Sequence, residues 1–178
     1  MRRSFMDSNL KSILRNAVYA ALYVALCYVF QPISFGPIQV RIAEALCILV
    51  LFDKNAVISI TLGCFLSNLL VGGTPQPIVD AFLGSLATFI GLFAVRFIKI
   101  DNFFIKMLPT IVSNAIIIPY ELIVIMGWGD VEIFGNTIAG NLAIIITIIS
   151  VAIGEIIALY VLGYILYKAI KRLNIDFK

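Results

Sequence analysis

Residues 137–170 read TIAGNLAIIITIISVAIGEIIALYVLGYILYKAI, and this stretch decides the class of fold. Glu155 is its one charged side chain before Lys168. A helix that crosses a bilayer needs about 20 mostly apolar residues, so this segment is long enough to cross with a tilt or to project beyond the membrane. We therefore expect a membrane-embedded chain in which Glu155 needs a specific explanation.

The composition of the whole chain also indicates a lipid environment. Of its 178 residues, 62% are hydrophobic and 13% are charged, whereas a soluble domain carries about 25% charged residues. The mean hydropathy is +1.07. The chain has no histidine, which excludes an imidazole base or metal ligand. Cys27, Cys47 and Cys64 lie apart in apolar segments without C-x-x-C spacing, so we expect free buried thiols and no metal site.

Six apolar segments are candidates for membrane helices, and the loops between them are short. We therefore expect an all-α integral membrane protein, folded as one domain over residues 1–178 and built as a six-transmembrane-helix bundle. The predicted helices cover residues 13–30, 39–52, 56–71, 78–98, 104–126 and 137–170.

The distribution of basic residues predicts the orientation of this bundle. Basic side chains concentrate on the cytoplasmic side of membrane proteins. If both the N and C termini are cytoplasmic, 12 of the 13 Lys and Arg residues fall inside, and Arg41 is the one that falls outside. We expect both termini in the cytoplasm, and we expect Arg41 to have a role other than anchoring the topology.

Polar side chains inside apolar segments are candidates for a binding site. A charge at mid-bilayer costs about 2.5–3.5 kcal/mol on insertion scales, so such a residue usually faces a cavity or a partner. At a helical rise of about 1.5 Å per residue, most of them lie in the outer half of the membrane, which indicates a pocket open to the outside. The candidate substrate-binding residues are Gln39, Arg41, Glu44, Asn68, Asp80, Asn114, Glu121, Trp128 and Glu155.

Several of these candidates have a plainer structural interpretation. Arg41 and Glu44 are three residues apart and could pair on one helix face. Asp80 could cap the fourth helix, and Trp128 could anchor a helix end at the membrane interface. Glu121 and Glu155 share their segments with no nearby cation, so a role in a pocket is the better interpretation for both.

The charge balance of these candidates describes the expected cargo. Four carboxylates face one guanidinium, which favours a ligand with many N–H donors or an ammonium group and disfavours anions. The nearby aromatic residues Phe35, Phe82, Tyr120 and Trp128 could stack on a flat ring or contact a cation. A planar, donor-rich heterocycle or an amine fits this description, and so do protons in a proton-coupled carrier.

Small residues recur along the first predicted helix. Ala17, Ala21 and Ala25 repeat every four residues and so lie on one face, which would let another helix approach closely. This face could pack inside the chain against Ser59, Gly63 and Ser67 of the third helix, or it could dock a partner protein.

Three segments together resemble a known family of importers. They are QPISFGPIQVRIAEAL at residues 31–46, FLGSLAT at residues 82–88 and GEIIALYVLG at residues 154–163. With these segments the chain resembles the substrate-binding S components of energy-coupling factor (ECF) importers, and most closely the queuosine precursor transporter (QueT) family.

This resemblance implies a function and a set of partners. The implied cargo is a 7-deazaguanine, either 7-aminomethyl- or 7-cyano-7-deazaguanine, captured from outside the cell membrane. The implied partners are an ECF scaffold membrane protein and two ATPase subunits, which hydrolyse ATP in place of any cofactor in this chain; no nucleic acid is expected. Residue by residue, the resemblance assigns cargo binding to Gln39, Arg41, Glu44 and Glu155, and scaffold docking to Ala17, Ala21 and Ala25.

Other functions remain open from the sequence. The same architecture could serve an S component for another vitamin or nucleobase, or a stand-alone proton-coupled carrier in which Glu121 and Glu155 titrate in turn. We expect no enzyme and no catalytic residue, because the chain has neither histidine nor a plausible pair of nucleophile and base.

Overall fold

The structure is a computed structural model that describes residues 2–35, 40–127, 130–133 and 136–173. Its elements in chain order are α1 (Arg2–Val29), α2 (Gln31–Ser34), a 3-10 helix (Ile42–Leu51), α3 (Ala56–Leu70), α4 (Pro77–Val95), α5 (Phe103–Tyr120), a π-helical segment (Glu121–Ile125), β1 (Asp130–Ile133), β2 (Asn136–Ala139), α6 (Asn141–Glu155), a second π-helical segment (Ile156–Gly163) and α7 (Tyr164–Leu173).

Helices long enough to cross a bilayer dominate the described part of the chain. Four qualify by length and apolar composition: Leu10–Val29, Pro77–Val95, Phe103–Ile125 and Asn141–Leu173. Two shorter apolar helices, Ile42–Leu51 and Ala56–Leu70, accompany them. Large apolar side chains are exposed along the long helices, as expected for surfaces that face lipid. The protein is therefore a multi-pass membrane protein.

The 3-10 helix is unusually long, since runs of more than three or four residues in this conformation are uncommon. At about 2.0 Å per residue it spans roughly 20 Å, which is less than the thickness of the bilayer core. Most of its residues are buried, and it packs against α1, α3 and the second π-helical segment. This short central helix is therefore enclosed by longer ones.

The helices of the bundle approach each other closely at two glycines. A Cβ atom on Gly63 of α3 would lie 2.8 Å from the Cβ of Tyr23 and 3.0 Å from the carbonyl oxygen of Ala20, both on α1. A Cβ on Gly91 of α4 would lie 2.5 Å from the Cα of Thr110 on α5. Only glycine permits these two helix crossings at their present separation.

The predicted helical fold is confirmed, and one short hairpin interrupts the helices. β1 and β2 form an antiparallel hairpin with Asp130 opposite Ala139 and Ile133 opposite Asn136. The sixth helix, which was predicted over residues 137–170, therefore begins four residues later than predicted, at Asn141. The physical reason is Gly140, whose φ of +67° is incompatible with a helix running through it from residue 137.

Two other predicted helices also differ from the structure. The first helix starts at Arg2 rather than at residue 13, so the polar N-terminal residues extend the apolar segment as one continuous helix. The predicted second helix, 39–52, is the 3-10 helix and not an α-helix. The hydrophobic pattern of such a short run does not distinguish these two conformations.

Candidate functional site

Seven of the predicted site residues gather in one buried polar cluster. Each is at most 6% exposed: Arg41, Glu44, Asn68, Asp80, Asn114, Glu121 and Glu155. They come from the 3-10 helix and its cap, α3, α4, α5 and the two α-to-π junctions. Gln39 and Trp128, the other two predicted residues, lie outside the described residues. The helices thus bring together polar groups that are far apart in sequence.

Glu44 is the most completely hydrogen-bonded acid of this cluster. The Tyr23 hydroxyl of α1 donates to Glu44 Oε1. The Cys47 thiol donates to Glu44 Oε2 at 2.8 Å, and the Thr88 hydroxyl of α4 lies 3.5 Å from Oε1. Because its carboxylate has these three donors, Glu44 ties α1, the 3-10 helix and α4 together.

The period of the 3-10 helix explains how Arg41, Glu44 and Cys47 are aligned. This helix has three residues per turn, so side chains three apart stand directly above one another. Arg41 caps the helix, Glu44 lies one turn on and Cys47 a further turn on. The three side chains therefore form one ridge, and we name it the 3-10 ridge.

Arg41 does not pair with Glu44 in the way that their spacing suggested. Among the described residues, ion pairs within 4.0 Å join Arg15 to Asp53 and Lys106 to Asp101, and neither involves Arg41. The Arg41 guanidinium instead lies 5.0 Å from the ring centroid of Phe35 and 3.5 Å from the Cys64 thiol. It interacts electrostatically with the surrounding carboxylates from this position.

Asp80 does not cap α4, which was its plainer interpretation. The N-cap of α4 is Gln76, and Asp80 is buried one turn inside the helix. Its backbone carbonyl accepts a hydrogen bond of 3.0 Å from the Asn68 amide of α3. A Cβ on Gly72 would lie 3.0 Å from Asp80 Oδ2 and 2.7 Å from the Asn68 carbonyl oxygen, so the turn after α3 packs closely against this carboxylate.

Glu121 and Glu155 occupy equivalent places in their helices. Glu121 is the first residue of one π-helical segment, and Glu155 is the last residue of α6 before the other. Short π-helical insertions occur frequently at functional sites, because they rotate side chains away from the regular α-helical positions. Here both α-to-π junctions carry a buried carboxylate.

The partners of these two acids differ. Glu121 neighbours Asp80, whereas Glu155 neighbours Asn114 and interacts with Glu44. Both oxygens of Glu121, one oxygen of Glu155 and both amide atoms of Asn114 are buried without a hydrogen-bond partner among the described residues. Buried polar groups are normally hydrogen-bonded, so these atoms are the natural contacts for a polar ligand.

A small cavity adjoins the cluster. Its volume is about 80 Å³, and its polar lining includes Arg41, Thr74 and Asp80. Pockets that hold drug-sized molecules usually measure about 300–1,000 Å³. A bicyclic ligand would therefore have to widen this cavity, and the Gly72–Gly73 turn that lines it is the closest backbone that could move.

The aromatic residues proposed from the sequence divide into two groups. Phe35 lines the cavity beneath Arg41. Phe82 and Tyr120 are 62% and 56% exposed on the outer surfaces of α4 and α5, so they do not reach the cluster. Both were wrong as candidates for stacking on a ligand. They lie near Asp80 and Glu121 in the sequence, but their side chains leave the helices in other directions.

Sequence reasoning missed Tyr23, Cys47, Cys64 and Thr88 as members of the cluster. The Cys64 thiol receives contacts from Arg41 and Thr88, both at 3.5 Å. One available signal was the spacing of Asp80, Gly84 and Thr88, which recur every four residues and so share a face of α4. All three cysteines are buried free thiols, and the described residues contain no group of metal-binding side chains.

The alanine face of α1 points away from the bundle. Ala17, Ala21 and Ala25 are all exposed, whereas Ala20, Tyr23 and Cys27 on the opposite side are buried. The contact with Gly63 of α3 uses Ala20 and Tyr23. Among the described residues, the alanine face therefore packs against no other helix.

Comparison with known proteins agrees with the resemblance seen in the sequence. The family model described as QueT transporter matches residues 13–172. A curated protein of Lactococcus lactis subsp. cremoris, named Queuosine precursor transporter QueT, is 39% identical over 82 residues. That match covers 45% of this chain and 46% of the relative. No solved structure matches.

Proposed function

The chain belongs to the QueT transporter family, and from this membership we propose that it is the membrane subunit that captures a 7-deazaguanine queuosine precursor from outside the cell. This family consists of transporters, so the chain is not an enzyme. The name of the Lactococcus lactis relative supports a queuosine precursor as the cargo.

The observation that carries the proposal is the set of buried polar atoms without partners. Glu155 and Asn114 lie side by side and offer an acceptor oxygen and a complete amide. The guanine-type edge of a 7-deazaguanine presents an N–H and an NH2 group next to a carbonyl oxygen. Glu155 would accept from the two donors and Asn114 would donate to the carbonyl, with Arg41 as a further donor nearby.

We further propose that the chain works as an S component of an ECF importer. The exposed alanine face of α1 supports this, since three small side chains on an outer helix surface permit close approach of a second membrane helix. The partners would be a scaffold membrane protein and two ATPase subunits, which supply ATP hydrolysis. Ala17, Ala21 and Ala25 would form the docking surface.

The proposed topology has six membrane passages and both termini in the cytoplasm. The contacts at one end of the bundle support it. Arg15 pairs with Asp53 at 2.8 Å, and Tyr167 packs against Phe52 and Phe103 with ring centroids 5.6 and 4.9 Å apart. Segments that carry most of the basic residues therefore meet at a single end, as the positive-inside rule requires of a cytoplasmic face.

Substitution of Glu155 tests the binding site. We expect wild-type protein to bind 7-cyano-7-deazaguanine and Glu155→Gln to bind it about 10- to 100-fold more weakly, because a hydrogen bond to a charged group contributes about 1.5–3 kcal/mol. Calorimetric titration of the purified protein measures both affinities. The control is Asp101→Asn, which removes a carboxylate from an exposed side chain. Equal affinity in wild type and Glu155→Gln would remove Glu155 from the site.

Substitution of Ala21 tests the docking surface separately. Ala21→Leu places a large side chain on the proposed contact, so we expect uptake into cells to be lost while the purified protein keeps its affinity for the ligand. Ala169→Leu makes the same change at an exposed alanine of α7 and should retain uptake. If Ala21→Leu also retains uptake, the alanine face does not dock the scaffold.

A proton-coupled carrier is the second candidate function. Glu121 favours it, because a buried acid without a hydrogen-bonding partner is a suitable proton carrier. Liposomes containing this protein alone distinguish the two mechanisms. Uptake driven by a proton gradient without any ATPase would establish the carrier, whereas uptake that requires the scaffold and ATP would establish the importer subunit. A thermal-shift screen against purines and vitamins would detect a different cargo.

A further inference from the structure

Asp80 lines the cavity and forms a pair of acids with Glu121, which lies next to the lining residue Leu122 in the sequence. The two side chains are neighbours, although they come from α4 and from the end of α5. Asp80 is 6% exposed and Glu121 is 1% exposed. Asp80 Oδ2 and both carboxylate oxygens of Glu121 are buried without a hydrogen-bond partner among the described residues. Among the described residues, no N–H group or hydroxyl is positioned to donate to these three oxygens.

Within the part of the chain that the structure describes, no basic side chain lies within ion-pair distance of either acid. Arg41 is the nearest candidate, but its guanidinium lies over the Phe35 ring and beside the Cys64 thiol, and it makes no ion pair within 4.0 Å among the described residues. Glu44 shows the contrast, since three donors from the chain itself surround its carboxylate. Burying uncompensated carboxylates is costly, so a cation from outside the chain would stabilise this pair.

The surroundings of the pair define the size and shape of that cation. Thr74 and Asp80 both line the cavity, and the Thr74 hydroxyl also lacks a partner. Gly72 packs closely beside the Asp80 carboxylate, because a Cβ there would lie 3.0 Å from Oδ2 and 2.7 Å from the Asn68 carbonyl oxygen. A primary ammonium group carries three N–H donors. Asp80, Glu121 and Thr74 supply one acceptor for each of them.

We propose that Asp80, Glu121 and Thr74 form a subsite for a primary alkylammonium group of the cargo, separate from the Glu155–Asn114 pair that reads the guanine-type edge. The inference rests on the proposed function and makes it more specific. Of the two candidate cargoes, only the 7-aminomethyl compound carries an ammonium, and the 7-cyano compound is neutral. The subsite therefore makes the chain selective for the aminomethyl form.

The test is the ratio of two affinities measured on the same protein. Wild type, Glu121→Gln, Asp80→Asn and Glu155→Gln are each titrated with 7-aminomethyl- and 7-cyano-7-deazaguanine. We expect wild type to prefer the aminomethyl compound, and we expect this preference to fall about 10- to 100-fold in Glu121→Gln and in Asp80→Asn. Glu155→Gln should weaken the binding of both ligands alike and leave the ratio unchanged. The distant control Asp101→Asn should also leave the ratio unchanged.

Two outcomes would overturn the inference, and they are distinguishable. If wild type binds both compounds and the ratio stays the same in Glu121→Gln and Asp80→Asn, the ammonium subsite is wrong while the proposed function stands. If wild type binds neither compound, the proposed function fails and the subsite fails with it. Glu121→Gln and Asp80→Asn lie on different helices, so misfolding of one variant leaves the other as the test, and binding of the cyano compound reports that a variant is folded.

Discussion

At the scale of single residues, the hydrogen bonds separate four buried carboxylates that look alike in the sequence. Glu44 is surrounded by donors of the chain, whereas Asp80, Glu121 and Glu155 each keep at least one buried oxygen without a partner. The first arrangement stabilises the fold, and the second leaves groups for a ligand. We therefore assign Glu44 to the framework that positions Arg41, although the sequence suggested cargo contact for both.

Removing the Tyr23 hydroxyl should reveal this structural role. Tyr23→Phe deprives the buried Glu44 carboxylate of a donor without changing the packing of the ring. We expect the free energy of unfolding to fall by about 1–3 kcal/mol, the usual cost of an unsatisfied buried polar group. Denaturant unfolding of the purified protein in detergent measures it.

Tyr19 provides a matched control one turn earlier on α1. Its hydroxyl is buried but has no hydrogen-bond partner among the described residues. Tyr19→Phe should therefore leave the free energy of unfolding nearly unchanged. An equal loss in the two variants would mean that the hydrogen bond to Glu44 adds nothing to stability.

At the scale of elements, the site depends on departures from regular α-helix. The 3-10 helix aligns Arg41 with Glu44, and the two π-helical segments begin where Glu121 and Glu155 lie. Between these segments, α4 packs against both α3 and α5 and contributes Asp80 and Thr88. The position of α4 thus sets where Asp80 and Thr88 lie relative to the cluster residues of α3 and α5.

Gly91 should be essential for the contact between α4 and α5. In Gly91→Ala the new methyl group would overlap the backbone of Thr110 and the Ser113 hydroxyl, which would lie 2.5 Å away. We expect a loss of about 1–3 kcal/mol of stability, as for other overpacked positions, together with weaker ligand binding because α4 moves. Thermal unfolding and ligand titration of the same sample measure the two effects.

Ile90 is the control for this substitution. It adjoins Gly91 in sequence, but its side chain is 44% exposed on the outer surface of α4. Ile90→Ala should change neither stability nor affinity appreciably. If Gly91→Ala behaves like Ile90→Ala, the two helices are less tightly packed than the structure indicates.

The sequence predicted the apolar helices better than their local conformation. Long apolar runs such as residues 141–170 have no alternative to a membrane helix, because an unpaired backbone cannot be buried in lipid. The hairpin between residues 130 and 139 was missed, since short strands leave little periodic signal. The 3-10 and π-helical segments were missed because they differ from an α-helix in backbone hydrogen bonding and not in hydrophobic pattern.

The candidate site was predictable in its members but not in its contacts. Charged and amide side chains are rare in membrane segments, so Asn114, Glu121 and Glu155 stood out in the sequence. Cys64 and Thr88 are ordinary residues of apolar helices, and nothing local distinguishes them. Which acid faces which donor depends on how the helices pack, and a single sequence does not contain that information in readable form.

At the scale of the whole molecule, the polar cluster and the basic residues belong to different ends. Phe103, Tyr164 and Tyr167 pack together where the basic residues of α7 lie, and Lys171 lies 4.7 Å from the Tyr167 ring. At the other end of α3, the Gln31 amide bonds the carbonyl of Val71 at 2.9 Å, beside the cavity. This separation of the two ends is what the proposed topology requires, with the basic end in the cytoplasm and the cavity toward the outside.

Single cysteines introduced into the loops should report this orientation. Gln76→Cys lies in the exposed turn before α4, and Asp101→Cys replaces a residue whose side chain is 93% exposed before α5. We expect a membrane-impermeant maleimide to label Gln76→Cys on intact cells and Asp101→Cys only after permeabilisation. The three native cysteines are buried, which keeps background labelling low. Labelling of both positions from the same side would refute the proposed topology.

The 3-10 ridge also limits how this segment can change in evolution. In a helix with three residues per turn, insertion or deletion of one residue between Arg41 and Glu44 rotates everything that follows by about 120°. Such a change would point Glu44 and Cys47 away from Tyr23 and Thr88, even with every side chain conserved. A distant relative should therefore be recognised by its charges at a spacing of three, rather than by overall identity across the segment.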